Sequence, residues 1–198
     1  MKNYEKIKLP DHKTVILLCG PSGCGKSTLE SQLTSLPSVY KIVSTTTREP
    51  RGGEEDRVDY YFRSKNQFDV MQAQNKFIQT TEFAGNSYGT ELFEYITFHD
   101  FATLVITPES AKRFIPTLLE RIDNISVKLI YFDISNERLI QNMRARGDSE
   151  EMIEARIAED DLREQFKKSG LVTHFRVTDD TLDEKLFERV CTQFHIGN

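Results

Sequence analysis

Nine residues restrict what this chain can fold into more than any others: "GPSGCGKST", Gly20 to Thr28. They match GxxxxGK[ST], with Gly20, Gly25, Lys26 and Ser27 at the fixed places and Pro21, Ser22, Gly23 and Cys24 between them. An apolar run, "VILLC" from Val15 to Cys19, precedes the motif, and a helical pattern opens at Ser27. A strand, a glycine-rich turn and a helix in that order aim backbone N–H groups at one anion and place a helix N-terminus behind it. Lys26 adds a point charge for the outer phosphates of a nucleotide, and the Ser27 hydroxyl can ligate Mg²⁺. Cys24 reads as a small filler, although a thiol beside Lys26 at a helix N-terminus is placed for a lowered pKa.

Such a loop belongs in an α/β layered fold, and the rest of the pattern agrees. "TLVIT" (Thr103 to Thr107) and "VKLIYFDI" (Val127 to Ile134) read as further buried parallel strands. Helical segments follow each strand: Ser27 to Leu36, "PESAKRFIPTLLERI" with a proline in its first turn, and Asn136 to Arg146 stopping at Gly147. Alternating strands and helices imply a central parallel sheet with right-handed crossovers. The segment Ser149 to Lys168 reads as one charged helix with a thin apolar stripe at Met152, Ile153, Ile157 and Leu162, either a plain solvated helix or part of a mobile flap. Between Tyr40 and Thr97 the pattern changes to short β-like runs with turns, a small inserted lobe. One domain of 198 residues accommodates all of this: core at 14–40, 98–135 and 170–198, inserted lobe at 41–97, and a helical excursion at 136–169. Met1 to Lys13 is expected to be a disordered tail.

Composition narrows the partners. A net charge of −5 argues against a nucleic-acid coat, which needs clustered excess Lys and Arg. No apolar run approaches the roughly 20 residues that span a bilayer, and the N-terminus lacks a signal-peptide core, so the expected location is cytoplasmic. Cys19, Cys24 and Cys191 have neither an even count nor metal-type spacing and read as structural thiols.

The lobe opens with "IVSTTTREPRGGEEDRVDYYF", Ile42 to Phe62, which gathers Arg48, Arg51, Arg57, Tyr60 and Tyr61. Arg side chains grip phosphate as rigid forks and tyrosine hydroxyls serve the remaining oxygens, so this loop suits a second anion. Two anions held side by side suggest transfer between them.

"STTTREPRGGEEDRVDYYF" followed by "FIQTTEFAGNSYGT" resembles the acceptor-binding segment of the guanylate kinase family, and "RARGDSEEMIEARI" resembles its lid. The resemblance runs over essentially the whole chain. It implies a three-layer P-loop kinase fold and transfer of the γ-phosphoryl group of ATP to GMP with Mg²⁺. It further implies that Arg48, Arg51, Tyr60 and Tyr88 hold the acceptor phosphate, that Ser44 and Thr90 face its base, and that Glu54 lies near the metal. Arg146 and Arg156 match lid arginines that, with Lys26 and Arg48, act on the transferring group. Small nucleotides are then the partners, and the chain would act as a monomer or homodimer.

The base-reading positions depart from the family. Gln79 stands for a glutamate and Thr107 for an aspartate, and Val105 replaces a second aspartate near the metal region. Arg57 replaces a glycine, Asn142 a lid arginine and Thr178 an asparagine near the donor base. Guanine presents N–H donors at N1 and N2, so replacing acceptor-only carboxylates with Gln and Thr should blur its recognition. Three readings stay open: a guanylate kinase with atypical base contacts, a kinase of the same fold acting on another phosphorylated acceptor, and a binding module of guanylate-kinase-like type. The complete loop at Gly20 to Thr28 speaks against the last.

Overall fold

A computed structural model describes residues 6–83, 85–98, 100–158 and 161–197. Its centre is β1 (Ile7–Cys19), whose last residues are buried on both faces. Val15, Leu17 and Cys19 point to one layer and Ile16 and Leu18 to the other, which is why the run reads as continuously apolar. β1 lies between β7 (Phe101–Val105) and β8 (Ile122–Phe132), with β2 (Val39–Lys41) outside β7 and β9 (Phe175–Val177) outside β8. All four ladders are parallel.

Helices cover both faces. Leu29 and Leu33 of α1 (Lys26–Thr34), Leu139 and Met143 of α5 (Asn136–Arg146) and Val190 of α8 (Leu186–Phe194) pack on the Ile16 side. Ala111, Phe114 and Leu118 of α4 (Pro108–Arg121), with Phe166 of α7 (Leu162–Ser169), pack on the Leu17 side. Each fully buried Leu or Phe contributes about 1.5–3 kcal/mol of transfer free energy, so the two clusters supply the main stabilisation of a three-layer α/β core.

The inserted lobe carries its own sheet of β3 (Ser44–Thr46), β4 (Tyr60–Phe62), β5 (Phe77–Phe83) and β6 (Asn86–Glu91), in the order β4-β3-β6-β5. α2 (Lys65–Ala73) begins with a capping box from Ser64 and Gln67 and buries Phe68 against Phe77, ring centroids 4.6 Å apart. The chain returns to the core through α3 (Glu94–Thr97).

Several boundaries differ from the sequence reading. The expected tail is strand from Ile7 onward, pairing Ile7 with Ile122 and Lys8 with Asp123; residues 1–5 lie outside the described part. A ladder partner fixes this segment although its residues alternate poorly, and Lys13 within it is buried, its ammonium donating to the Ile96 and Phe98 carbonyls. β8 starts earlier and ends two residues sooner than expected, and β7 ends at Val105, leaving Thr107 to cap α4. The charged helix expected over Ser149–Lys168 is two elements, α6 (Glu150–Ala158) and α7, with residues 159 and 160 outside the described part.

Candidate active site

The Gly20 to Thr28 loop sits where β1 ends and α1 begins. Gly20 has no room for a side chain: a Cβ there would lie 2.7 Å from the Phe132 Cβ. Gly25 is the N-cap residue of α1 at φ +97°, a left-handed conformation that disfavours every residue with a Cβ. The Lys26 ammonium folds back over the loop and donates to the Gly20 carbonyl at 2.7 Å and the Pro21 carbonyl at 2.6 Å. Asn142 of α5 donates to the Gly23 carbonyl at 2.9 Å, so the residue that departs from the family's arginine ties this helix to the loop. Ser27 and Thr28 are exposed on the first turn of α1. Cys24 corrects the sequence expectation of a lowered pKa: burial raises its thiol pKa, outweighing the nearby Lys26, and Cys19 is pushed up to about 12 for the same reason.

The lobe sheet sorts the acceptor candidates by register. Tyr60 pairs with Ser44, Ser44 with Thr90 and Thr90 with Gln79, so four separate segments of sequence form one row across four strands. Two residues along, Thr46 pairs with Tyr88 and Tyr88 with Thr81, a second row that the period-2 pleat puts on the same face. The register shifts between Phe77 and Gln79, immediately before the residue that lines the cavity.

Above these rows the Arg48 guanidinium stacks over the Tyr60 ring at 5.4 Å and binds the Glu54 Oε1 at 2.8 Å. Glu54 Oε2 accepts the Arg51 backbone N–H, also at 2.8 Å. The hydrogen bond from Arg48 holds the Glu54 carboxyl below its ordinary range, and the same bond raises the Arg48 pKa. Glu54, expected at the metal, is here turned to Arg48. Among the described residues no group of three or more His, Cys, Asp or Glu is arranged to hold a metal ion. Val105, at the strand end that the resemblance associates with the metal region, is an exposed apolar residue. A divalent ion here would rest on Ser27, the nucleotide's own oxygens and water, a ligand set that Mg²⁺ accepts.

A single cavity of ≈ 500 Å³ joins both halves. Gly20, Ser22 and Lys26 of the glycine-rich loop line it, together with Arg48, Arg51, Glu54, Tyr60 and Tyr88 and with Ser44, Gln79, Thr90 and Thr107. Thr81 and Ser110 also line it and were missed from the sequence. Thr81 lies two residues beyond Gln79 and could have been found by strand period; Ser110 is visible only once Thr107 is known to cap α4, its Oγ1 accepting the Ser110 N–H at 3.2 Å. Arg146 and Arg156 do not line the cavity. Both bind Asp148, Arg156 Nη1 at 2.6 Å from Oδ2 and Arg146 Nε at 3.1 Å from Oδ1, and Arg146 chiefly holds that carboxyl below its ordinary range.

The family model described as "Guanylate kinase" matches residues 11–191. The chain belongs to the guanylate kinase family. Among curated relatives, a guanylate kinase of Trichormus variabilis is 38% identical over 153 residues, covering 75% of this chain and 74% of the relative. A guanylate kinase of Parasynechococcus marenigrum is 33% identical over 180 residues, covering 88% and 94%. The crystal structure of guanylate kinase from Anaplasma phagocytophilum superposes with a TM-score of 0.65 at 23% identity, covering 94% of this chain and 87% of that one, and so shares the fold. Gly20, Ser22 and Lys26 of the loop and the Arg48, Arg51, Tyr60, Tyr88 set meet in one cleft here, while Gln79 and Thr107 bring neutral groups to the same cleft.

Proposed function

We propose that this guanylate kinase transfers the γ-phosphoryl group of ATP to the phosphate of GMP, giving ADP and GDP. The observation that carries the reading is the shared cavity, in which Lys26 and the glycine loop face Arg48, Arg51, Tyr60 and Tyr88 across one space. The attacking group is a phosphate oxygen of GMP, already ionised at neutral pH, so no side chain has to remove a proton. Catalysis then consists of bringing two like-charged phosphates together and neutralising them in place. Lys26 exchanges its contacts with the Gly20 and Pro21 carbonyls for phosphate oxygens, and Arg48 exchanges Glu54 for the acceptor phosphate. Mg²⁺, held through Ser27 and the nucleotide, would supply charge neutralisation at the donor phosphates, with Glu54 available to its waters once Arg48 has turned away.

Arg146 and Arg156, parked on Asp148, are the mobile charges that would close over the transferring group and exclude water. Ser44 and Thr90 face the base, with Gln79 and Thr107 reading its donors. The Thr107 hydroxyl already accepts the Ser110 N–H and, like the Gln79 amide, can donate as well as accept, so discrimination for guanine is modest. The setting is cytoplasmic, with soluble nucleotides as partners. A coupled assay for ADP with GMP as acceptor, with GDP identified by chromatography, tests the proposal; hydrolysis of ATP without GDP formation would refute it.

A further inference from the structure

Behind the acceptor face lies a buried acidic pair that the transfer reaction does not use. Glu94, at the start of α3, has no solvent exposure. Its Oε2 accepts the Val43 backbone N–H at 2.9 Å and its Oε1 accepts the Tyr61 hydroxyl at 2.9 Å. The Tyr40 hydroxyl reaches the same carboxyl. Three residues earlier, Glu91 Oε1 accepts from the Thr45 hydroxyl at 2.9 Å, and Thr45 is fully buried.

The partners of these carboxylates are the immediate neighbours of the acceptor candidates. Val43 precedes Ser44, Thr45 follows it, and Tyr61 follows Tyr60. Alternation along a strand sends Ser44 and Tyr60 to the cleft and Thr45 and Tyr61 to the opposite face, where the two glutamates wait. Glu94 also bridges the two places where the chain passes between core and lobe. Val43 lies between β2 of the main sheet and β3 of the lobe sheet, and Glu94 sits on the return path to β7.

We propose that Glu94 is a positioning residue for the acceptor cleft, fixing β3 and β4 from behind so that Ser44 and Tyr60 meet one ligand in register. Burial chiefly raises the pKa of Glu94, and the three donors that surround it are what make a buried carboxyl tolerable there. Truncation would leave the Val43 N–H buried without its partner, and β3 would loosen at the residue before Ser44. The donor side is untouched, because the phosphate loop hangs on β1 and α1. The inference rests on the acceptor reading above for its kinetic form, though not for its structural form.

Glu94→Ala, Glu94→Gln and Tyr61→Phe separate the possibilities. Gln keeps an acceptor for Val43 and can donate to the Tyr61 oxygen, so it should restore most of what Ala loses. Glu94→Ala should raise the GMP KM roughly tenfold while kcat and the ATP KM stay within about twofold, and Tyr61→Phe should give a smaller rise in the same constant. Hydrogen exchange read by mass spectrometry should show faster exchange at 42–46 and 60–62 in Glu94→Ala, with β1 and β8 still protected. An unchanged GMP KM, or equal losses in both KM values together with a collapsed thermal transition, would overturn the proposal. Should the wild-type protein leave GMP unphosphorylated, the proposed function fails, and the exchange arm decides the role of Glu94: unchanged exchange at 42–46 overturns it, and local acceleration supports it.

Discussion

On the proposed reading of the cleft, carboxylates at Gln79 and Thr107 should sharpen selection for guanine, and the hydrogen bonds involved set the size of the effect. Thr107 offers one oxygen, and that oxygen already accepts the Ser110 N–H as the N-cap of α4. Asp at this position brings two oxygens, one to keep the cap and one to face the cavity. Asp caps as well as Thr or better and suits the positive end of the α4 dipole, so Thr107→Asp should not lower the thermal transition. Gln79 is half-buried in the cavity, and its amide presents a donor beside its acceptor, whereas Glu presents acceptors alone. A hydrogen bond to a charged acceptor exceeds a neutral one by about 1 kcal/mol, a factor of about five at each position. The two positions meet one base, so their effects need not multiply, and the double variant should raise kcat/KM for GMP over AMP by about 5- to 25-fold. The assay is a coupled kinase measurement with GMP, IMP and AMP. Because inosine lacks only the N2 amino group, the GMP to IMP ratio reports that single contact. Unchanged ratios in a double variant with an intact thermal transition would refute the reasoning and show that the cleft does not read guanine through these side chains.

Other outcomes follow from the same geometry. Lys26→Ala should lower kcat by about 10²-fold or more with the fold preserved, since no neutral group replaces its charge on the outer phosphates; near-normal turnover would sink the mechanism. Arg48→Ala and Arg51→Ala should each raise the acceptor KM far more than the ATP KM, as steady-state titration of both substrates will show, and equal shifts would reduce the pair to surface residues. Asp148 has its folded-state pKa lowered by Arg146 and Arg156, so its contribution to stability is present above its unfolded-state pKa of about 3.9 and is lost as pH falls through the lowered value. Asp148→Asn should therefore melt earlier than wild type at neutral pH, with the gap closing below about pH 4, measured by thermal denaturation across pH.

How much of this could be read from the chain depends on the range of the interaction concerned. The phosphate loop is local: its turn, its glycines and its helix start are consecutive in sequence, and they stand in space as their order implies. The layered core was legible because strands buried on both faces leave unbroken apolar runs such as Val15 to Cys19. Ile7 to Lys13 were misread because the force that makes them strand is a ladder to residues near 122, which no local pattern reports. The acceptor candidates were named through family likeness, but their alignment in rows depends on register among four strands and a register shift between Phe77 and Gln79, both tertiary facts. Arg146 and Arg156 illustrate a different limit. Their placement on helical segments was legible, whereas their pairing with Asp148 is a contact that no local pattern reports.

The nonlocal ladder at the centre of the sheet also governs how the Gly20 to Thr28 loop comes into being during synthesis. The loop emerges early, at Gly20 to Thr28, yet the strand that carries it is flanked by β7 and β8, which end at Val105 and Phe132. A nascent chain released only through the lobe has the loop's sequence without its scaffold. Parallel pairing of this kind closes large loops before it returns any stabilising contact, which slows folding and leaves apolar strand edges open in the interim. Competence for nucleotide therefore arrives late and together with the core, and a ribosome-bound fragment ending before Ile122 should expose "VILLC" to chaperones instead of presenting a phosphate site.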